Sequence, residues 1–273
     1  MSLVQLLSSI EGKRITVIGD NISDIYHFGR TDRLSPEAPV PVFVQNDRDN
    51  RSGRRRGGAD NVAHQLEMLH VHTSIYMPPA VSEKHRYMVG HHQLFRVDQD
   101  EYAPLGWMKD YWIADCAAHS DALILSDYGK GALTYENCQK IISAFVHCGI
   151  PVIVDPKGSD FGKYRNATII VPNHKELAGN RTPIDWPCVI VEKAGEDGIR
   201  LHRSEITQKF PSKAVHVYDV TGAGDIVTAI IGGTMAAKGN LEDGCQLANI
   251  AAGAAVAEIG TTVISSHRLR TLL

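Results

Sequence analysis

Eight consecutive residues, Tyr218-Asp219-Val220-Thr221-Gly222-Ala223-Gly224-Asp225, have the types and spacing to move a phosphoryl group. Two glycines two apart permit a sharp turn whose N–H groups no side chain obstructs. The small apolar run from Ile226 to Ala237 predicts a helix, so those N–H groups and the positive end of the helix dipole converge on one spot. Asp225 sets a carboxylate beside that anion hole. Such a carboxylate is electrostatically awkward unless it handles a proton. That suggests a base taking a hydroxyl proton while the backbone stabilises the transferring group. The same eight residues also fit a plain helix start with an acid in its first turn. The elements around them decide.

Those elements have a βα rhythm. Residues 2–10 predict a short amphipathic helix and 14–18 a buried strand ending at Gly19-Asp20, with Asp24 four residues on. Leu34 to Val42 carries three prolines, which exclude a helix and favour an extended edge or lid. The charged stretch 46–56 ends in Arg54-Arg55-Arg56 and reads as a solvated loop. Gly57-Gly58-Ala59-Asp60-Asn61 opens a helix to about His70, where paired glycines admit a ligand close to the backbone. A strand ends at Tyr76, and 84–98 alternates as lid strands with Lys84, Arg86, Arg96 and Asp98.

From residue 122 on, each strand runs into a polar motif. Residues 122–125 run into Ser126-Asp127-Tyr128-Gly129-Lys130-Gly131, followed by a helix at about 135–148. Residues 151–155 run into Pro156-Lys157-Gly158, and 167–171 into Asn173-His174-Lys175-Glu176. Residues 188–192 run into Lys193-Ala194-Gly195-Glu196-Asp197-Gly198. Two small-residue helices, about 225–238 and 241–259, close the chain. Repeated strands ending in Asp, Asn, Lys or Gly imply a mostly parallel sheet with one polar, ligand-facing edge.

Composition excludes several classes. The 273 residues carry a net charge of −3, with 43% hydrophobic and 22% charged residues, so nothing pulls the chain toward nucleic acid or an anionic membrane. The five cysteines form no CxxC and the thirteen histidines no HExxH, against a zinc ribbon or zinc protease. Signal-peptide pattern and membrane-length apolar run are both lacking, so a soluble cytoplasmic protein is expected. No GxGxxG follows the first strand, which argues against a nicotinamide-binding oxidoreductase.

The motifs RLSPEAPVPV (33–42), GGADNVA (57–63), LSDYGKGAL (125–133), VDPKGSDF (154–161), YDVTGAGD (218–225) and AAGAAVAEIGT (251–261) together resemble the ribokinase-like (PfkB) carbohydrate kinases, over essentially the whole chain. Within that family they are most similar to the kinases of heptose 7-phosphate. The resemblance implies an α/β fold: a ribokinase-like three-layer α/β/α domain over 1–273, with a mostly parallel central sheet and a small β lid from about 25–56 and 84–98. It implies ATP and magnesium as cofactors, a sugar phosphate as substrate, and a homodimer through the lid. The implied reaction carries the γ-phosphoryl group to the anomeric hydroxyl of heptose 7-phosphate.

Residue by residue, the resemblance makes Asp225 the base and Gly222, Ala223 and Gly224 the anion hole, supported by Thr221 and Asp219. Asn173 and Glu176 match the family's N-x-x-E, which acts with magnesium through water. Lys193, Gly195 and Gly198 match the nucleotide-phosphate loop, and Asn249 and Gly253 flank adenine. Asp20, Asp24, Gly58 and Asn61 would hold sugar hydroxyls. Lys84, Arg86, Lys130 and Lys157 would hold the distal phosphate, with Asp127 completing the substrate set.

The chain also departs from the family. There is no room between Pro79 and Ser82 for the usual helix and first lid strand, nor between Glu176 and Cys188 for the usual helix. Asp60 adds negative charge where a small residue is usual, and Arg54 to Arg56 are available to offset it or to bind the phosphate. Two other readings stay open: a kinase of another sugar or nucleoside, and a non-catalytic sugar- or nucleotide-binding relative.

Overall fold

A computed structural model of the chain describes every residue except 47, 107, 183, 204–205, 214–216, 218 and 259–261. Tyr218 of the glycine-turn motif and residues 259–261 of the late motif and helix therefore lie outside the described residues. In chain order the elements are α1 (Leu3–Ile10), β1 (Arg14–Gly19), β2 (Asn21–Arg30), β3 (Val44–Gln45), β4 (Gly53–Gly57), α2 (Gly58–Met68), β5 (His72–Tyr76), β6 (Ser82–Val89) and β7 (His92–Gln99). There follow α3 (Asp110–Ala118), β8 (Ala122–Ser126), α4 (Tyr135–His147), β9 (Val152–Asp155), β10 (Ile169–Ile170) and α5 (His174–Gly179). The last are β11 (Val189–Lys193), β12 (Ile199–Arg203), β13 (Ile206–Phe210), α6 (Ala223–Ala236), α7 (Leu241–Ala255) and α8 (Ser266–Leu272).

The central sheet has the order β13-β12-β11-β10-β9-β8-β1-β5. All neighbours from β5 to β11 are parallel, while β12 and β13 add an antiparallel edge. Parallel strands are covered on both faces, which is why β8 and β9 are buried at every position. Two apolar cores result. Leu6, Leu7 and Ile10 of α1, Val62 and Leu66 of α2, and Ile226 and Ile230 of α6 pack on one face with Val17, Ile124 and Ile153. Ile113 of α3 and Ile141, Ile142 and Phe145 of α4 cover the other with Leu123, Leu125 and Val154. The architecture is the ribokinase-like α/β arrangement.

Helix α6 is buried almost throughout, and Gly232 and Gly233 let it sit directly on its neighbours. A Cβ at Gly232 would come within 2.4 Å of Ile124 Cδ1, and one at Gly233 within 2.8 Å of Ile10 Cγ2. That depth brings the start of α6 to the carboxyl ends of the strands.

The second sheet is the lid, with the order β3-β2-β6-β7 and β4 on β2. It begins at Asn21 and Ser82, earlier than the expected 25 and 84, because β2 runs straight on from β1 and β6 starts after the five residues 77–81 that follow β5. The proline-spaced segment is not a strand. Only a bridge between Leu34 and Pro41 forms there, since prolines offer no N–H to a ladder. The missing room noted above is visible: residues 77–81 alone join β5 to β6, and α5 has six residues. Sequence reasoning did not anticipate α3, the β12–β13 hairpin or α8.

Candidate active site

The carboxyl ends of β8, β9 and β11, the start of α5 and the start of α6 enclose a cavity of about 160 Å³. Asp127, Tyr128, Asp155, Pro156, Lys157, Asn173, Glu176, Lys193, Gly222, Gly224 and Asp225 line it. In an open α/β sheet this is where ligands bind.

Gly222 caps α6 in the left-handed conformation (φ 82°), which a side chain would strain. The Thr221 N–H donates to Asp219 Oδ1 at 2.9 Å and fixes the approach. The turn therefore presents the unsatisfied first-turn N–H groups of α6 to the cavity, an anion-binding arrangement. Asp225 stands in that first turn, 5% exposed. Its Oδ1 accepts from the Tyr128 hydroxyl and its Oδ2 from Asn61 Nδ2, both at 2.6 Å. Burial, and then the neighbouring Asp155 charge, push the Asp225 carboxyl up to about 6, against the pull of its two donors and Lys193. A carboxylate with that value is a competent base near neutral pH.

Lys193 supplies the positive charge. Its Nζ donates to Asp155 Oδ1 at 2.6 Å, and a Cβ on Gly224 would lie 3.4 Å from it, so the ammonium lies along the glycine turn. Asp155 is buried and also accepts from Thr228 Oγ1 at 2.9 Å, which ties β9 to α6. Burial raises its carboxyl, with Lys193 the main opposing influence. Asn173 and Glu176 form a reciprocal capping box at the start of α5, with Glu176 N–H on Asn173 Oδ1 and Asn173 N–H on Glu176 Oε2, both at 2.9 Å. Lys157 Nζ reaches Glu176 Oε1 at 3.3 Å, so Lys157 faces the same cavity as Lys193. Among the described residues no group of three His, Cys, Asp or Glu side chains is arranged to hold a metal ion.

The residues expected to hold the sugar are arranged differently from one another. Asp20 is fully buried, and its carboxylate accepts from the N–H groups of Tyr128 (2.7 Å), Lys130 (3.1 Å) and Ala132 (3.0 Å). It therefore anchors the loop after β8 and has no oxygen facing the cavity. The Asp127 carboxylate lies in the cavity wall but is committed to Gly129 N–H, Tyr164 Oη and Lys163 Nζ. Asp24 and Arg86 pair with each other, Nε at 3.0 Å and Nη2 at 2.8 Å on one oxygen, and Arg86 also holds Gln93. Lys130 pairs with Asp100, leaving its ammonium neutralised away from the cavity. Lys84 alone of these cations makes no ion pair among the described residues. It lies over the Tyr128 ring, 4.8 Å from the centroid, with its pKa lowered by burial. Gly58 opens α2, and Asn61 on that helix holds Asp225. Arg56 lies 3.3 Å from Asp60, so the extra negative charge is offset, although burial still raises the Asp60 carboxyl.

On the far side of Lys193, Gly195 and Gly198 shape the β11–β12 turn with positive φ values of 62° and 88°. Asn249 of α7 donates to the carbonyls of Pro211 (2.5 Å) and Phe210 (3.4 Å), and Gly253 lies one turn further along the same helix. These four positions lie outside the cavity lining. Two polar lining residues, Tyr128 and Asp155, and the apolar Pro156 are not among the site residues expected from the sequence. All three stood in motifs that were read, and a strand-end acid before Pro156 was the available signal for Asp155.

A glycine turn, a buried carboxylate and a lysine thus meet at the carboxyl edge of the parallel sheet, an arrangement that suits an anionic ligand. Residues 186–268 match the family model described as pfkB family carbohydrate kinase, so the chain carries a PfkB family domain. Curated relatives include the bifunctional protein HldE of Magnetococcus marinus, 35% identical over 315 residues, covering 96% of this chain and 64% of that protein. The bifunctional protein HldE of Haemophilus influenzae is 31% identical over 319 residues, covering 99% of this chain and 66% of that protein. The chain thus spans just under two thirds of the relatives it matches. Among solved structures, ribokinase of Arabidopsis thaliana complexed with ribose and ATP aligns at a TM-score of 0.72 and 16% identity, over 96% of this chain and 98% of that one. Phosphofructokinase-2 of Escherichia coli aligns at 0.67 and 18%, over 95% and 98%. At those identities the structures establish the ribokinase-like fold.

Proposed function

We propose that the chain transfers the γ-phosphoryl group of ATP to the anomeric hydroxyl of a sugar phosphate, heptose 7-phosphate, giving the 1,7-bisphosphate. The observation that carries this reading is Asp225, buried in the first turn of α6 beside the Gly222–Gly224 anion site, with Lys193 along that turn. Asp225 takes the acceptor proton, while the turn amides and Lys193 meet the charge on the transferring group. The heptose assignment is supported by the motifs at 33–42 and 125–133 and by the HldE relatives. Magnesium neutralises phosphate charge when bound. Glu176, whose Oε1 has Lys157 as its one partner among the described residues, suits a water-mediated hold on a hard cation that keeps most of its waters.

Lys84 favours a phosphorylated acceptor over a free sugar or nucleoside, because a half-buried ammonium that makes no ion pair among the described residues, with the Asp24 and Asp98 charges only nearby, can take up an anion. Lys84→Met should raise KM for the sugar phosphate roughly 10- to 100-fold with a much smaller change in kcat. An unchanged KM would remove Lys84 from the phosphate site. A homodimer through the lid is part of the proposal, supported by β7, which is exposed along its whole length with Leu94, Phe95 and Val97 outward. A cytoplasmic location is also part of the proposal; no described helix is long and apolar enough to cross a membrane.

The deciding experiment is magnesium- and ATP-dependent ADP release with heptose 7-phosphate, fructose 6-phosphate, ribose and adenosine. Release with heptose 7-phosphate alone supports reaction and substrate together. Release with another member of the panel keeps the kinase and moves its specificity. Binding without release with any of them refutes catalysis.

A further inference from the structure

We propose that Tyr128 is a positioning residue that keeps Asp225 occupied until a phosphorylated acceptor displaces it, so that the γ-phosphoryl group is not lost to water. This rests on the kinase reading above. Tyr128 joins three parts of the site. Its N–H is fixed by Asp20 Oδ2 at 2.7 Å, its hydroxyl donates to Asp225 Oδ1 at 2.6 Å, and its ring carries the Lys84 ammonium from lid strand β6.

Both oxygens of the base are already engaged. Tyr128 lines the cavity with Asp225 and Asn61 does not, so Oδ1 is the oxygen on the cavity side. A hydroxyl that is to give its proton to Asp225 from the cavity must first take the place of the Tyr128 hydroxyl. A distal phosphate at Lys84 draws the ammonium off the ring, because a full negative charge attracts it more strongly than a π face. The phenol then loses its lid contact, and the acceptor hydroxyl replaces it on Oδ1. A water molecule brings no anion to Lys84 and leaves the phenol in place. One contact thus reports to the base, across the lid, that the correct acceptor has arrived.

Removal of the phenol hydroxyl opens Asp225 to water. In that reaction the water oxygen bonds to the γ-phosphorus and the bond from the γ-phosphorus to the bridging oxygen breaks. Asp225 takes the water proton, and ADP leaves with the bonding electron pair, giving ADP and inorganic phosphate. Tyr128→Phe keeps the ring beneath Lys84 and deletes only the donor. Sugar-independent ADP release with magnesium and ATP should then rise roughly tenfold or more. The acid limb of the rate profile should lie higher than in wild type, because a donor that lowers the Asp225 carboxyl is gone. The carbon-13 titration of that carboxyl should shift upward with it. The double variant Tyr128→Phe, Asp225→Asn should return to background.

Three results overturn the lock. The first is an unchanged or lower sugar-independent rate in Tyr128→Phe while transfer to sugar phosphate persists, which leaves the kinase reading standing. The second is a raised rate that survives Asp225→Asn. The third is a carboxyl titration identical in wild type and Tyr128→Phe. Absence of transfer by the wild-type chain to any sugar phosphate sinks the kinase reading and the lock together.

Discussion

Asp225→Asn should lower kcat by about 10²- to 10⁴-fold, the usual contribution of a positioned base, with ATP affinity close to wild type. The same change should make the protein more stable at neutral pH. The folded carboxyl sits at about 6 against an ordinary 3.8, so folding favours its protonated form. The group therefore opposes folding little below pH 4 and most above pH 6, where the cost reaches about 3 kcal/mol. Asparagine removes that cost and can still face Tyr128 and Asn61, whose amide can turn to offer its oxygen. The gain in melting temperature should grow between pH 4 and pH 6 and stay flat above. For a chain of this size each kcal/mol is worth about 2–4 °C. Inactivity accompanied by a lower melting temperature at pH 7.5 would point to a damaged fold instead of a missing base.

Lys193→Met should damage both stability and rate. The ammonium is the charged partner of Asp155, and both side chains are largely buried. Removing one member of such a pair strands the other, which costs about 3–5 kcal/mol and lowers the melting temperature on the order of 10 °C. Loss of the cation along the Gly224 turn should also lower kcat about 10²- to 10³-fold, comparable to deleting one donor to a developing charge. Asp155→Asn in the Lys193→Met background should recover much of the stability, since no lone charge remains, and none of the rate. Recovery of both would mean that Lys193 only supports the fold. A normal rate in a destabilised Lys193→Met would lead to the same conclusion.

Asp225 was legible because two glycines two apart run into a small apolar helix, and Lys193 because the apolar run 188–192 reveals where a parallel strand stops, which is where such a sheet places its ligands. The N-x-x-E at Asn173 is legible twice over, since the same spacing that marks the family also writes a capping box. The partners of the charged groups were not legible. Asp24 meets Arg86 across 62 residues through the register of β2 on β6, and no local pattern encodes that register. Lys130 likewise looks available in the sequence and is claimed by Asp100 at the end of the lid. Tyr128 escaped notice because its importance depends on a hydroxyl reaching a residue 97 positions away. Helix α3 was missed because it buries only Ile113, Cys116 and Ala117 and shows no clean apolar stripe.

The way the lid is joined to the core has a mechanical consequence. Strand β2 follows β1 after Asp20 alone and β6 follows β5 after residues 77–81, and each pair is parallel to its neighbour on both sides of the junction. The neck is thus a two-ply strap, with β4 running directly into α2 as a third stay. A strap of this kind flexes readily across its thin direction and resists twisting or sideways shear. With the chain also returning to the core after β7, such a neck is expected to favour swinging about one axis, so that Lys84, Asp24 and Arg86 would travel together. The short 77–81 connection leaves little slack for the two plies to move independently, so the expected motion is a flap approaching the Asp225 end of the sheet or retreating from it.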